Sequence, residues 1–368
     1  MIAMKSNVLY ILGAGCSAAY GYPLAKEFPA ALKNYEISLQ RRPNCGRLKR
    51  CVTNTISLMG KYHSPTTDRL VFQIAEELGR ERRKLGPIFT PKHKELEAME
   101  EEQILDAKTA TTAFFLEQEA QARATGLQGY WDFLTLLFEN NRNPSVLEST
   151  TSRVLSFNYD RLFEIAFTDY FRLDSNPECY RQVWLNSGID LLLNRAVDFL
   201  PGRFSFLKLH GTAGIFVRRE IGSVWYSGVA IHQEHLTIED NFFWHSDPTR
   251  SSFQRLKAEP LIVFPFEKDR ARSENTSFLY DDYIRAVWGH AKQQGYAEGL
   301  VERAKQIQVI GYSFDRNDRK AMIDLLQKSD CPIIIRNRTK EDAQDICQGL
   351  EEDHPELAPR LRPSPKGF

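Results

Sequence analysis

The chain predicts an α/β fold, a Rossmann-like, mostly parallel sheet with helices on both faces and an inserted helical lobe. Asn7-Val-Leu-Tyr-Ile-Leu12 is a short, largely apolar run ending in Gly-Ala-Gly, the pattern of a buried parallel strand feeding a tight turn. Similar runs return at Arg153 to Phe157, Phe204 to Leu209, Pro260 to Phe264, Gln306 to Ile310 and Pro332 to Ile335, most of them followed by polar or glycine residues. Helix-favouring stretches such as Tyr283 to Gln293 and Asp318 to Lys328 separate several of them, and this alternation favours parallel strands covered on both faces.

After the first strand, Ser17 is placed to cap a helix. The segment that follows is charged and helix-favouring, with Lys92 to Ala110 carrying the run Glu95-Leu-Glu-Ala-Met-Glu-Glu-Glu-Gln103. Its apolar positions Phe114, Phe115 and Leu116, then Trp131, Phe133, Leu134, Leu136, Leu137 and Phe138, suggest helices packed on one another. At 368 residues the chain exceeds one typical small core, and two lobes are expected. The sheet domain takes residues 1–27 and 151–345, the helical insert 28–150, and a C-terminal tail 346–368. Arg360 to Phe368, with Pro363 and Pro365, reads as frayed.

Composition narrows the function classes. Lys plus Arg (48) equals Asp plus Glu (48), so no global basic field points to nucleic-acid binding. The six cysteines, Cys16, Cys45, Cys51, Cys179, Cys331 and Cys347, form no C-x-x-C pair, which fits a reducing cytoplasm rather than a disulfide scaffold. Val8 to Leu12 is too short for a secretory segment or a membrane span, so a cytoplasmic protein is expected. Trp131, Trp184, Trp225, Trp244 and Trp288 read as core or interface residues.

Ligands of open parallel sheets bind beyond the carboxyl ends of the strands, and the informative residues stand there. Gly13-Ala14-Gly15 places backbone N–H groups and a helix N-terminus where a pyrophosphate can sit, with glycine keeping side chains out of the way. The full dinucleotide fingerprint is not met, because Ala18 stands at its third glycine, and a plain strand-to-helix turn is the alternative reading. Asn158-Tyr159-Asp160 follows the second run, where Asn158 and Asp160 also suit turn or cap chemistry. Leu207-Lys-Leu-His210-Gly211 ends the third, and a lone histidine there also suits a satisfied structural role.

In order, Gly13-Ala-Gly-Cys-Ser17 with Gly21-Tyr22-Pro23, then Asn158-Tyr159-Asp160, then His210-Gly211 resembles the sirtuin active-site set. Val309-Ile-Gly311-Tyr312-Ser313 is similar to the family's adenosine-side strand end, and Ile335-Arg336-Asn337 to the strand carrying its ribose-contacting Asn. The resemblance runs through motifs from about residue 7 to 340 and leaves the insert outside. It implies that the sheet domain binds NAD through Gly13, Ala14, Gly15, Ser17, Pro23, Lys26, Gly311, Ser313 and Asn337, with Asn158, His210 and Asp160 as catalytic residues.

Those residue types suit cleavage of the nicotinamide–ribose bond. Nicotinamide leaves NAD as a cationic group, so the transition state is oxocarbenium-like and no strong acid is required. Asn158 can orient water or ribose without adding charge, and His210 can take a proton near neutral pH. Asp160 can hold the nicotinamide amide or favour the developing positive charge.

The departures from the family pattern point away from deacylation. Deacylating sirtuins carry zinc on two C-x-x-C pairs after His-Gly, whereas no cysteine lies between His210 and Gly311 here, so no metal site is expected. They continue Gly-x-Pro with Asp-Phe-Arg, and Leu24-Ala25-Lys26 stands here instead. Loss of the shielding Phe favours water as acceptor, and Lys26 keeps a charge without the guanidinium fork.

With its helical insert, the chain resembles the zinc-free sirtuin-like branch of bacterial anti-phage defence. That resemblance implies an NAD glycohydrolase, yielding ADP-ribose and nicotinamide, held off by assembly into a homo-oligomer or by a partner such as a HerA-type ATPase or an Argonaute. The alternatives are a non-catalytic module that binds NAD or ADP-ribose and an NAD-dependent protein deacylase.

Overall fold

The computed structural model describes residues 7–87, 89–172, 204–218, 223–225, 244–246, 255–257, 259–264, 267, 287–288, 295–314 and 319–364. The main sheet comprises β1 (Val8–Leu12), β2 (Arg153–Ser156), β3 (Ser205–Lys208), β9 (Gln306–Ile310), β10 (Ile333–Arg336) and β11 (Leu361–Pro363). Their order is β11-β10-β9-β1-β2-β3, and every pairing is parallel. Successive strands therefore step outward from β1 on one side, and the chain then returns to β9 on the other. That order is the doubly wound one, with its switch point between β1 and β9.

β1 is buried along its whole length, which explains the continuous apolar run: a central parallel strand has no solvent face. β1 and β9 are in register residue for residue, from Val8 opposite Gln306 to Leu12 opposite Ile310.

The remaining strands build smaller sheets. β4 (Gly211–Arg218), β5 (Ser223–Trp225) and β8 (Glu259–Ile262) form one in the order β5-β4-β8, while β6 (Trp244–Ser246) and β7 (Arg255–Lys257) form an antiparallel pair. The run at Pro260 is thus a strand, as expected, but belongs to the small sheet and not to the parallel one. An apolar run reports burial, not which sheet supplies its partners.

Helices fill the long crossover from β1 to β2: α1 (Gly15–Ala18), α2 (Phe28–Leu39), α3 (Gly46–Tyr62), α4 (Thr67–Lys84), α5 (Pro91–Thr125), α6 (Gln128–Leu137) and α7 (Val146–Ser149). α4 starts where the Thr66 hydroxyl accepts from Arg69 N and ends in Arg82, Arg83 and Lys84, which suit the negative end of its dipole. α5 buries Leu96, Ile104, Ala107 and Phe114, a helical stripe, and Phe114 meets the rings of Phe28 and Tyr35 edge-on at 5.4 and 5.8 Å.

The chain divides into two compact units, one of Met1–Gly21, Ala122–Gly211 and Lys268–Phe368, the other of Tyr22–Gln121 and Thr212–Glu267. α6 and α7, which the sequence reading placed in the insert, fall in the unit that holds the parallel sheet. There Phe133 of α6 meets Tyr10 of β1 at 5.2 Å. α8 (Leu162–Phe171) adds Phe163 against Phe206 at 4.5 Å and Phe171 against Phe138 at 4.9 Å.

After β9 come α10 (Arg319–Leu326) and then α11 (Lys340–Asp353), preceded in the chain by α9 (Tyr296–Glu302). The helix expected at Asp318 to Lys328 is α10, and that expected at Tyr283 to Gln293 lies outside the described residues apart from 287–288. α11 opens on a reciprocal cap between Thr339 and Asp342. The expected frayed end is corrected here: Leu361–Pro363 pairs with β10, and Ser364 N donates to Ile335 O at 2.7 Å. Arg360 fixes the entry, donating to the carbonyls of Cys331 and Leu326 at 3.0 and 2.9 Å. Pro363 is tolerated because β11 is an edge strand among the described residues, with no further described strand needing its missing N–H.

Candidate active site

Because the strands are parallel, their carboxyl ends share one edge of the sheet. Gly13 follows β1, Asn158 follows β2 by two residues, His210 follows β3 by two, Gly311 follows β9 and Asn337 follows β10. The residues that the sequence placed at strand ends are therefore lined along the edge where ligands of such sheets bind.

At the switch point the two turns pack backbone on backbone. Gly13 N donates to Ile310 O at 2.9 Å and Gly15 N to Gly311 O at 2.7 Å. A Cβ on Gly13 would fall 2.6 Å from Gly311 O, one on Gly15 2.8 Å from the same oxygen, and one on Gly311 2.6 Å from Cys16 N. Gly311 also has φ +62°, the left-handed region that glycine enters without penalty. The glycines are thus demanded by the protein's own packing, before any ligand is considered. The Gly15 N–H faces Gly311, whereas Ala14 and Ser313 are exposed. Cys16 is sealed in, its Sγ donating to Ile310 O at 3.3 Å, and burial pushes its thiol well up, so it is no nucleophile.

α1 is a single turn, with Ala14 at its N-cap and no side-chain cap. Ser17 is therefore not the cap expected from sequence; it lies inside the turn and points into a buried polar network. Its Oγ donates to Asp160 Oδ2 at 2.7 Å and lies 3.1 Å from Tyr130 Oη. Asn158 Nδ2 donates to Gly13 O at 3.0 Å and reaches Ser17 Oγ at 3.4 Å. Since the Gly13 carbonyl can only accept, the amide is fixed with its nitrogen inward. Asn158 Oδ1 is buried and accepts no hydrogen bond among the described residues. An orphaned buried acceptor calls for a donor, and a ligand hydroxyl or amide can supply one.

Asp160 is 4% exposed, and its second oxygen, Oδ1, accepts from Leu162 N at 3.1 Å at the start of α8. The carboxylate thus ties α1 to α8 in the manner of a cap, the structural role that its place before a helix suggested. Beneath it, Lys208 of β3 donates to the Asp160 carbonyl and pairs with Glu164 of α8 at 3.1 Å. Both charged side chains are 1% exposed. Burial pushes the Glu164 carboxyl up, an effect that the Lys208 ammonium partly offsets.

His210 is 3% exposed and sits among rings: Phe157 at 5.3 Å, Trp288 at 6.0 Å and Tyr159 at 6.1 Å. Trp288 Nε1 donates to Leu209 O at 3.0 Å, which fixes the indole beside the histidine. Phe157 also contacts Tyr312 at 4.9 Å, linking the end of β2 to that of β9.

The remaining sequence candidates are less engaged. Asn337 is half-buried, its Oδ1 accepting from Arg338 N at 2.8 Å. Pro23 and an exposed Lys26, the latter in a 3-10 turn (Ala25–Glu27), belong to the second compact unit. Among the described residues no cluster of His, Cys, Asp or Glu is arranged to hold a metal ion, and no helix is long and apolar enough to cross a membrane. Tyr130, Lys208 and Glu164 were missed. Lys208 had a legible signal, a lysine inside the apolar run Phe206-Leu-Lys-Leu209, since a buried lysine needs a partner.

No family model matches the chain, and no curated protein does. Among solved structures, Sir2Tm bound to a propionylated peptide is similar over 94% of this chain and 92% of its own, at 13% identity and a TM-score of 0.33. A Sir2–p53 peptide–NAD+ structure matches over 95% and 93%, at 14% identity and 0.31. An ADP-ribose complex of a mutant Sir2 homologue matches over 98% and 86%, at 14% identity and 0.35. These likenesses are distant, and the fold assignment rests on the strand order.

Proposed function

We propose that the chain binds NAD at the carboxyl edge of its parallel sheet and hydrolyses the nicotinamide–ribose bond, releasing nicotinamide and ADP-ribose. The observation that carries this reading is Asn158. Its amide nitrogen is held inward by Gly13 O, and its buried Oδ1, beside the switch-point turn, accepts no hydrogen bond among the described residues. A ribose hydroxyl or a water fits that acceptor; a phosphate oxygen does not. His210, on the neighbouring strand end, is the proposed proton acceptor. Asp160 acts by holding Ser17 and the start of α8, since both its oxygens already accept internal bonds.

The proposed ligand frame places the pyrophosphate at the exposed Ala14 turn between Gly13 and Gly15, with Ser17 behind it. Gly311, Ser313 and Asn337 attend the adenosine half, and Pro23 and Lys26 the first-motif loop. The catalytic domain of the reading is 1–27 with 151–345, and the helical insert is 28–150. Hydrolysis is preferred to acyl transfer because Leu24-Ala25-Lys26 lacks the shielding Phe of deacylases and the stretch between His210 and Gly311 lacks the zinc cysteines. The anti-phage resemblance adds a cytoplasmic NAD-depleting effector, regulated by homo-oligomerisation or by an ATPase or Argonaute partner.

Incubation of the full chain with NAD, following nicotinamide, ADP-ribose and cyclic ADP-ribose together, tests the reading. Equal amounts of nicotinamide and ADP-ribose are expected. Cyclic product in place of ADP-ribose would make it a cyclase, an O-acyl-ADP-ribose formed only with an acyl-lysine peptide would make it a deacylase, and tight binding without turnover would make it a sensor.

A further inference from the structure

We propose that Tyr130, on α6, is a positioning residue for this site, acting on Asn158 through the Ser17 hydroxyl. The proposal rests on the NAD-cleaving reading of the same site. Ser17 Oγ carries one hydrogen, and the Asp160 carboxylate, 2.7 Å away, can only accept. Ser17 therefore meets its other two neighbours, Tyr130 Oη at 3.1 Å and Asn158 Nδ2 at 3.4 Å, with lone pairs alone. Tyr130 must donate, giving the directed chain Tyr130 O–H to Ser17 O–H to Asp160 Oδ2. Burial, with Asp160 nearby, pushes the Tyr130 phenol well up, so the donor persists across the working pH range.

The tyrosine is itself held in place. Its backbone N donates to Tyr20 Oη at 3.2 Å, and the two rings stack at 5.5 Å and 19°. A Cβ on Gly129 would fall 2.8 Å from Tyr20 Oη, so glycine permits this close seating of the first turn of α6. A tyrosine held at its backbone N and by its ring stack thus sets the Ser17 rotamer. A donor into Ser17 Oγ also polarises the bond that Ser17 makes to Asp160, because hydrogen bonds in a buried chain reinforce one another. Without it, Ser17 can turn away, and Asn158 loses the second of its two inward contacts.

The test is Tyr130→Phe in the full chain, which keeps the ring and its stack and removes only the donor. Two readouts are taken: hydrogen exchange of the Asn158 side-chain amide by 15N-asparagine labelling, assigned with Asn158→Ala, and the kinetics of nicotinamide release. Exchange about ten-fold faster and kcat about ten-fold lower with KM within about two-fold are expected, the signature of lost alignment rather than lost binding. On a Ser17→Ala background, adding Tyr130→Phe should lower kcat no further. Unchanged exchange and kcat in Tyr130→Phe, or an additive double variant, would overturn the proposal. A wild type that leaves NAD intact would sink the NAD reading instead, and the exchange comparison would still decide whether Tyr130 holds Asn158.

Discussion

The carboxyl edge of the sheet has two halves built on different principles. At β1 and β9 backbone meets backbone: Gly13, Gly15 and Gly311 interlock with no room for a side chain on any of them. At β2 and β3 side chains hold side chains: Asn158, Ser17, Tyr130 and Asp160 share one network, with the Lys208–Glu164 pair beneath. The first half is a steric fixture and the second a chemical one. Chemistry is sought in the second because Asn158 Oδ1, oriented by the bond its nitrogen makes to Gly13 O, is buried there and accepts no hydrogen bond among the described residues.

Substitutions that respect this division sharpen it. Gly311→Val should have the largest effect, combining a backbone clash with a β-branched residue at positive φ; loss of the cooperative thermal transition is expected. A normal melting curve would show that the turns can part, and the steric half would have to be abandoned. Lys208→Met comes next, because it leaves Glu164 buried without its counter-charge; a loss of about 3–5 kcal/mol in urea is expected.

Glu164 gives a pH signature. A carboxyl whose folded pKa lies above its unfolded value binds its proton more tightly in the native state, so its contribution favours the fold at low pH and is lost as pH rises through the folded value. Relative to Glu164→Gln, wild-type stability should therefore decline as pH rises above the ordinary 4.5. Parallel urea midpoints for the two proteins across that range would mean that burial does not govern the group. The smallest effect belongs to Ala14→Ser, at the exposed position between two glycines that admit nothing; a change within about 0.5 kcal/mol is expected.

Much of the fold was legible in the sequence because parallel strands are short, largely apolar runs, fully buried in β1 and mostly buried in β2 and β9, while β10 still buries alternate residues. β8 misled because its apolar run is equally suited to a small sheet. β11 was hidden because Pro363 and Arg362 read as tail chemistry, although an edge strand tolerates both. At the site, Asn158, Asp160 and His210 were visible as polar residues placed just after apolar strands. Their supports were not. Tyr130 reads as one more aromatic of an amphipathic helix, and Ser17 as a cap, because hydroxyl directions depend on partners more than a hundred residues away. Gly13, Gly15 and Gly311 stand at strand ends as their sequence suggests, and the structure adds a requirement the sequence did not show, the packing of the two turns on each other.

In the proposed function Asn158 presents its carbonyl oxygen to the ribose end of NAD. That role is tested most directly by nicotinamide release from the wild type and Asn158→Ala, each with thermal melting as a check on folding. The account predicts release by the wild type and a loss of at least about a hundred-fold in a folded Asn158→Ala, the scale of removing one oriented catalytic group. Equal release by the two proteins would contradict it.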